Sequence, residues 1–378
     1  SMEKVKLLVI EILLFPITFL NAMIPDSSAV LNTVNKVVDW QIEHYSDMNK
    51  NRIYKSFGDL SWENGVFLSA LSEWAEFRND SSLISWYRNI CERNRYSLST
   101  ANHRIYHADD LAVCLMYATL YDKTGKDEVI HHTLSRLEFI MNHPSKAVFG
   151  EKSKHVNDRW CWCDALYMAP PVFARFANIT GNNKMRDFMD KEFWDTHKFL
   201  YDESESLFFR DAKYFKRKEK NGEKVFWGRG NAWVLAGLSR IITYLPSDYP
   251  SRSKYISLFK EMASRIVSLQ DKRGHWHASM LDPISYPDPE MSCTAFFTYA
   301  LWWGINNGVL DEEIYLKSAI NGWNAIVGSV QKDGMLGWVQ PVGQDPKKVT
   351  AEMTEVYGPA AVMLAAMEIL KFSDGFAL

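Results

Sequence analysis

Six segments along this chain share one pattern: a short polar and aromatic cluster opens into a mostly apolar helical run that ends in a polar turn. The interval is 47 residues from Trp62 to Asp109 and 65 residues from Glu290 to Glu355, which is enough for two helices and their loops. Repetition at such a period is typical of stacked supersecondary units. The six clusters begin at Ser61, His107, Arg159, Trp227, Glu290 and Glu355. Because charged and aromatic residues recur at the same end of every second helix, we expect them to surround one shared pocket.

The helices between these clusters can be placed by apolar periodicity, at residues 28–46, 80–95, 127–142, 182–199, 251–270 and 311–328. Their polar faces are wide, as outer helices in contact with water require. The runs that follow the six clusters are more apolar on all sides, as in residues 360–366, which indicates burial. Six inner and six outer helices in alternation predict an all-α fold, an (α/α)6 barrel. The alternative is an open helical solenoid, which normally shows atypical terminal repeats.

Composition agrees with one large domain over residues 25–378, because no Pro-, Gly- or Ser-rich linker interrupts the repeats. A net charge of -3 gives no electrostatic case for a nucleic acid partner or an anionic membrane. Aromatic residues make up 14% of the chain and include 14 Trp. Most of these should pack in the core, but Trp at a helix start also suits stacking on a sugar ring.

Metal and cofactor chemistry receive little support from the sequence. The five cysteines are too few and too irregular for a disulfide framework, and Cys161 and Cys163 lack the two-residue spacer of a redox or zinc motif. His103 and His107 are four residues apart, but the Glu of a zincin helix and a third ligand are missing from their neighbourhood. We therefore predict no metal and no cofactor.

The N-terminus is either a signal peptide or an additional helix, over residues 1–24. Lys4 and Lys6 precede an apolar run that ends near the small residue Ala22, as in secretory signals, although Glu11 interrupts that run. A signal peptide would place the protein in the periplasm or outside the cell, and a packed helix would place it in the cytoplasm. No later segment is long and apolar enough to span a bilayer.

Five motifs in order carry a family resemblance. They are His107-Ala-Asp-Asp110, Trp162-Cys-Asp-Ala-Leu-Tyr-Met168, Trp227-Gly-Arg-Gly-Asn-Ala-Trp233, Glu290-Met-Ser292 and Gly337-Trp-Val-Gln-Pro341. Over roughly residues 28 to 372 the chain resembles the unsaturated rhamnogalacturonyl hydrolases of glycoside hydrolase family 105, which are close kin of the family 88 unsaturated glucuronyl hydrolases. The resemblance also implies an (α/α)6 barrel, in agreement with the repeats.

The resemblance implies that the substrate is an unsaturated oligosaccharide left by a polysaccharide lyase. The family removes its terminal 4,5-unsaturated uronic acid by hydration: a carboxyl group protonates C4, water adds at C5, and the hemiketal opens and expels the remaining sugar. A carboxylic acid must then stay protonated near neutral pH, which requires a pKa raised by burial or by a second carboxylate. A conventional two-carboxylate glycosidase and a non-catalytic oligosaccharide-binding toroid remain alternatives.

The same motifs assign residues to roles. Asp164 matches the catalytic acid, although an Asp at a helix start can also serve only as an N-cap. Asp109 or Asp110 matches the second carboxylate, and the sequence leaves open which of them faces the pocket. Arg229 is expected to bind the uronate carboxylate, with a structural salt bridge as the alternative, and Trp233 is expected to stack on the sugar.

In one place the chain departs from the family pattern, since Arg210-Asp211 stands where a His is expected. One of these two residues must then take over the polar role of that His. Further candidates around the pocket are Trp62, His107, Met168, Trp227, His275, His277, Glu290 and Tyr357. The sequence is compatible with either a monomer or a homodimer.

Overall fold

The computed structural model describes residues 24–45, 57–99, 104–150 and 156–374. The N-terminal segment that we predicted as a signal peptide or an additional helix lies outside these ranges except for Ile24, and so does His103.

Helices in the described ranges alternate between an inner and an outer layer. The outer helices are α1 (Ser27–Glu43), α3 (Ser81–Arg93), α5 (His131–Asn142), α8 (Asn183–Leu200), α10 (Arg252–Ser268) and α12 (Glu312–Ser329). The inner helices are α2 (Trp62–Arg78), α4 (Cys114–Thr124), the consecutive pair α6 (Ala165–Met168) and α7 (Pro170–Thr180), α9 (Gly228–Tyr244), α11 (Met291–Asn306) and α13 (Tyr357–Asp374). The predicted alternation and all six predicted outer helices are thereby confirmed.

The inner helices form a closed ring. Each packs on the inner helix before and after it, and the last, α13, packs on the first, α2, as well as on α11. Ring closure confirms the (α/α)6 barrel and makes the open solenoid wrong. Because inner helices meet neighbours on every side, α11 is buried from Met291 to Ile305, whereas α3 buries only Tyr87, Ile90 and Cys91.

Two inner repeats begin less regularly than the others. Pro170 and Pro171 open α7, and because proline lacks an amide hydrogen, α6 ends at Met168 and the helical path restarts. In the second repeat, Ala108–Leu111 forms a 3-10 turn before α4 begins at Cys114. Close packing also requires small residues here: a Cβ at Gly237 of α9 would lie 2.4 Å from the Leu166 carbonyl oxygen of α6.

Short strands supplement the helices. Tyr201–Asp202 pairs antiparallel with Leu207–Phe208, and Lys218 bridges to Lys224, so the charged segment between repeats turns back on itself as a hairpin. Across the described residues, no helix combines the length and apolarity needed to cross a membrane. The inner helices all begin at the same end of the barrel, and this end carries the six polar clusters.

Candidate active site

A cavity of about 410 Å³ opens where the inner helices begin. Its walls include residues from the second and third clusters and from two loops that cross the end of the barrel. The charged and aromatic side chains of these walls are those of His107, Asp109, Trp162, Phe199, Arg210, Asp211 and Lys213. Three of the predicted polar regions therefore meet in one space.

Asp109 presents its carboxyl group to this cavity from the 3-10 turn Ala108–Leu111. His107 caps that turn, its Nδ1 accepting a hydrogen bond from the Asp109 backbone N–H at 3.2 Å. Burial, followed by the nearby charge of Asp164, raises the pKa of Asp109 from 3.8 to about 7. The Asp109 side chain is still 17% exposed, so a bound molecule can reach it. Asp109 can hold a proton near neutral pH.

Asp110 is turned away from the cavity. Its Oδ1 accepts a hydrogen bond from Arg104 Nη2 at 2.8 Å, and its Oδ2 lies 3.8 Å from Arg136 Nη1. The side chain is 2% exposed and does not line the cavity. Of the two candidates for the second carboxylate, the structure brings only Asp109 into the cavity, and Asp110 belongs to a buried ion-pair network.

Asp164 lies at the start of α6, where its charge acts on Asp109, and it adjoins the cavity without being one of the residues that line it. Within the described residues its side chain caps no backbone N–H of α6, so the carboxylate is not used as a helix cap. Arg210 Nε lies 3.5 Å from Asp164 Oδ1, and the aromatic ring of Trp162 walls the cavity next to it. The raised pKa of about 7 that the sequence analysis calls for belongs to Asp109.

Arg210 and Asp211 join the two carboxylates to the cavity mouth. Arg210 Nη1 donates to Asp211 Oδ2 at 2.7 Å, and Asp211 Oδ1 accepts a hydrogen bond from the backbone N–H of Lys213 at 2.9 Å. His107, packed 5.1 Å from Trp162, has its pKa lowered to about 4 by burial and by Arg104 and Arg210, so it is neutral at physiological pH. Arg210, which lies between the carboxylates of Asp164 and Asp211, thus takes the position where the family pattern has a His.

Arg229 is not among the residues that line this cavity, and its predicted role in binding the uronate stays a prediction. Its guanidinium is sandwiched between the rings of Trp227 and Tyr357, 4.6 Å from each centroid. It donates to the main-chain oxygens of Gln340 at 2.7 Å and Pro341 at 2.9 Å. The residue is 1% exposed, and in this structure its guanidinium binds the backbone of the chain.

Three more predicted binding residues meet Arg229 around Gln340. Trp227 Nε1 donates to Gln340 Oε1 at 3.0 Å, and the Tyr357 hydroxyl donates to the Gln340 main-chain oxygen at 2.6 Å. Glu290 caps α11 and also accepts the Gln340 backbone N–H at 2.8 Å. These buried side chains hold the 337–345 loop in place and are not among the residues that line this cavity, and their predicted substrate contacts stay predictions.

Of the apolar candidates, Trp62 keeps an accessible face. It is half-buried and stacks on Tyr357 with 5.5 Å between ring centroids. Trp233 is fully buried against Phe296, and Met168 is 2% exposed, so both pack in the core of this structure, and their predicted contacts with the sugar stay predictions.

The remaining histidine candidates, His275 and His277, contact residues outside the cavity. His277 Nε2 lies 3.1 Å from Asp271 Oδ2, and its Nδ1 lies 2.8 Å from the Tyr286 main-chain oxygen. His275 Nδ1 lies 3.9 Å from the same Asp271 oxygen. Neither histidine lines the cavity. In the described ranges, no three His, Cys, Asp or Glu side chains come together in a way that could hold a metal ion.

The structure also shows residues that our sequence analysis did not select. Glu63 and Glu355 are buried at the starts of the first and sixth inner repeats, and burial raises the pKa of Glu355 to about 8. The charge of Glu63 contributes to the raised pKa values of both Asp109 and Glu355. Both residues belong to the polar clusters, and this membership is the sequence feature that could have identified them as site residues. Gln344 and Lys213 at the cavity mouth had no such signal, because loop packing alone brings them together.

Comparison with known proteins identifies the family. Residues 33–373 match Glycosyl Hydrolase Family 88. An unsaturated 3S-rhamnoglycuronyl hydrolase of Alteromonas sp. (strain LOR) is 36% identical over 88% of this chain and 83% of its own length. A solved structure titled as a family 88 glycosyl hydrolase from Bacteroides vulgatus superposes with a TM-score of 0.80 at 28% identity, covering 92% of this chain and 100% of that one.

A second solved structure has a different title. It is named a polysaccharide lyase, superposes with a TM-score of 0.81 at 30% identity, and covers 92% of this chain and 98% of that one. The family match spans most of the chain, including every inner helix, and agrees with the motif resemblance and the closed ring of helices. The chain belongs to Glycosyl Hydrolase Family 88 and is a glycoside hydrolase.

Proposed function

We propose that this glycoside hydrolase removes a 4,5-unsaturated uronic acid from the non-reducing end of lyase-generated oligosaccharides of the rhamnogalacturonan or rhamnoglycuronan type. One observation carries the proposal: Asp109, with a pKa of about 7, faces a sugar-sized cavity beside Asp164. The names of the family 88 relatives support the same substrate class.

The two carboxyl groups supply the proton that hydration of an enol ether needs. Because the charge of one raises the proton affinity of the other, the pair holds one proton near neutral pH. We assign delivery of this proton to C4 to Asp164. Once ionised, Asp164 takes a proton from the water molecule that adds at C5, so that one water is added across the double bond. Asp109 holds the shared proton before each turnover and passes it to Asp164 for delivery to C4, and it recovers from Asp164 the proton that the adding water gives up.

The product of this addition is unstable without further help from the protein. The hemiketal at C5 opens to a ketone, and the hemiacetal that forms at C1 then releases the remaining sugar. The C1–oxygen bond is never attacked while the ring is closed. The uronate carboxylate is attached to C5 and therefore lies deep in the cavity, where Arg210 is the nearest cation to Asp164. We assign its recognition to Arg210 in place of Arg229. We assign stacking on the sugar to Trp62, which is partly exposed and lies outside the lining of the 410 Å³ cavity.

The test is absorbance. A conjugated 4,5-unsaturated uronate absorbs in the ultraviolet, and hydration destroys that chromophore. A panel of lyase-generated disaccharides should lose absorbance with the unmodified protein and keep it with Asp164→Asn. If no member of the panel is consumed, the proposed activity is wrong.

Lyase activity is the second candidate, because one structure of this fold and similar sequence is titled as a lyase. A lyase creates the unsaturated uronate from a saturated polymer, so absorbance would rise where the proposed hydrolase makes it fall. The two activities are therefore separated by the sign of one signal, measured on saturated and unsaturated substrates in parallel. We expect no rise on saturated polyuronates.

A further inference from the structure

A second cavity lies at the far end of the barrel, where the inner helices end. Its volume is about 420 Å³, within the range of roughly 300 to 1,000 Å³ that is usual for small-molecule sites. All six inner repeats contribute to its walls, chiefly through the C-terminal halves of their helices. The 17 residues of α9 span about 25 Å, and among the described residues none lines both this cavity and the candidate active site. The far-end cavity is therefore a separate space.

Arg240 of α9 offers free hydrogen-bond donors to this cavity. The residue lines the cavity but is only 5% exposed. Its printed contacts with described residues all use Nη2, which donates to Glu73 Oε1 at 2.6 Å and lies 3.5 Å from the Tyr244 hydroxyl. Arg240 Nε is buried and makes no hydrogen bond with any described residue. Because a buried donor without a partner is unfavourable, a ligand oxygen beside this guanidinium would be stabilised.

The charges around the far-end cavity balance each other. Arg240 pairs with Glu73, Arg175 pairs with Asp122, and Lys371 lies 3.2 Å from Glu368. The complete set of charged wall residues comprises four acids and four bases: Glu73, Glu76, Asp122, Glu368, Lys123, Arg175, Arg240 and Lys371. A ligand with a net charge would meet attraction and repulsion in equal number. The walls therefore favour a neutral ligand that can both donate and accept hydrogen bonds.

Hydroxyl groups meet this requirement. Glu73 and Asp122 each use one carboxylate oxygen in their ion pairs, so the second oxygen of each can accept a hydrogen bond from a ligand hydroxyl. The same hydroxyls can accept from the Arg240 guanidinium. Half-buried rings of Phe77 and Tyr244 add apolar surface to the walls, against which the C–H face of a sugar ring can pack.

We infer that the far-end cavity is a second, non-catalytic binding site for a neutral sugar of monosaccharide size. Sugar oxygens accept hydrogen bonds from Arg240, sugar hydroxyls donate to Glu73 and Asp122, and the ring packs on the aromatic wall. This inference uses only the residues of the far-end cavity, so it does not rest on the proposed function.

The test measures binding of rhamnose, galactose and glucose to the unmodified protein by ligand-observed NMR. We expect at least one of these neutral sugars to bind. Thr119 lines the cavity from α4, so Thr119→Phe should fill the space and abolish binding while every ion pair is kept. Thr124→Phe is the matched control and should leave binding unchanged. Thr124 lies on the same helix, its hydroxyl bonds the carbonyl four residues earlier at 3.1 Å as that of Thr119 does, and it does not line the cavity.

Arg240→Gln tests the predicted donor. It should weaken sugar binding about 10-fold or more, the scale of a hydrogen bond to a charged group. Because this change leaves Glu73 without its cation, the variant can lose stability, and Thr119→Phe then carries the test by itself. Neither change touches the candidate active site, so kcat on an unsaturated disaccharide should stay the same.

Trp62→Ala separates the two cavities, because Trp62 is the stacking residue assigned to the active site. Sugar binding at the far end should persist in Trp62→Ala. Binding that is lost in Trp62→Ala but kept in Thr119→Phe would place the sugar in the active site and overturn the inference. No binding of any of the three sugars would also overturn it. Glucuronate serves as the charged comparison, and tighter binding of glucuronate that disappears in Thr119→Phe would refute the neutral-sugar assignment.

Discussion

Replacing Asp109 with Asn should make the protein more stable at alkaline pH while it abolishes function. Asp109 has a pKa of about 7 in the folded protein, well above its ordinary value of 3.8, so the native state binds this proton more tightly than the unfolded chain does. The stabilisation that comes from this tightly bound proton is fully present at acid pH and is lost as the pH rises from about 4 to about 7. Asn has no charge to bury, so the variant does not suffer this loss.

The size of the effect follows from the proton affinity. A shift from 3.8 to about 7 corresponds to roughly 4 kcal/mol, at about 1.4 kcal/mol for each tenfold change in affinity. Most of the stability that is lost above pH 5 can be measured directly. The stability advantage of Asp109→Asn over the unmodified protein should be larger at pH 8 than at pH 5 by about 1 to 3 kcal/mol, because solvent reaching the 17% exposed side chain reduces the full value.

Urea unfolding followed by tryptophan fluorescence at pH 5 and pH 8 measures this difference. Asp127→Asn is the control, since Asp127 is exposed and its replacement should change the free energy of unfolding by less than about 0.5 kcal/mol at both pH values. An advantage of Asp109→Asn that is the same at pH 5 and pH 8 would show that Asp109 is already ionised in the native protein. The shared proton in the proposed mechanism would then have no source.

Three further predictions follow from the site. Asp164→Asn should lower kcat at least ~100-fold, the scale of general acid catalysis, while substrate binding measured by calorimetry persists; near-normal turnover would remove Asp164 from the mechanism. Arg229→Lys should lower the free energy of unfolding by about 1 to 3 kcal/mol, because an ammonium cannot both fill the stacked position and donate to two main-chain oxygens. A raised KM at unchanged stability would instead show that Arg229 binds substrate. Chelators should leave activity unchanged, since the described residues offer no metal-ligand cluster; activity lost with chelator and restored by a divalent cation would contradict this.

The barrel was predictable because each repeat carries its own signals. The polar clusters mark the starts of inner helices, and apolar periodicity placed the outer helices within a few residues of their observed bounds. Helix starts depend on local chemistry, such as the Ser61 and Glu290 caps, and local chemistry can be read from neighbouring residues.

The direction of individual side chains was less predictable, because it depends on residues far away in the chain. Arg229 and Asp110 have the residue types of binding and catalytic groups, yet loop carbonyls and arginines surround them. Trp233 lies in a specific motif, yet its ring is fully buried against Phe296. Gln344 became part of the site only through its contact with Lys213, which is 131 residues away in sequence.

The central claim is that water adds to the C4–C5 double bond and does not attack C1. A disaccharide analogue with sulfur in place of the glycosidic oxygen tests this most directly, because hydration leaves the C1–sulfur bond intact until the ring has opened. We predict that the protein removes the ultraviolet absorbance of the sulfur-linked analogue at a rate comparable to that of the natural substrate. An analogue that keeps its absorbance while the oxygen-linked disaccharide is cleaved would show direct attack at C1 and contradict the account.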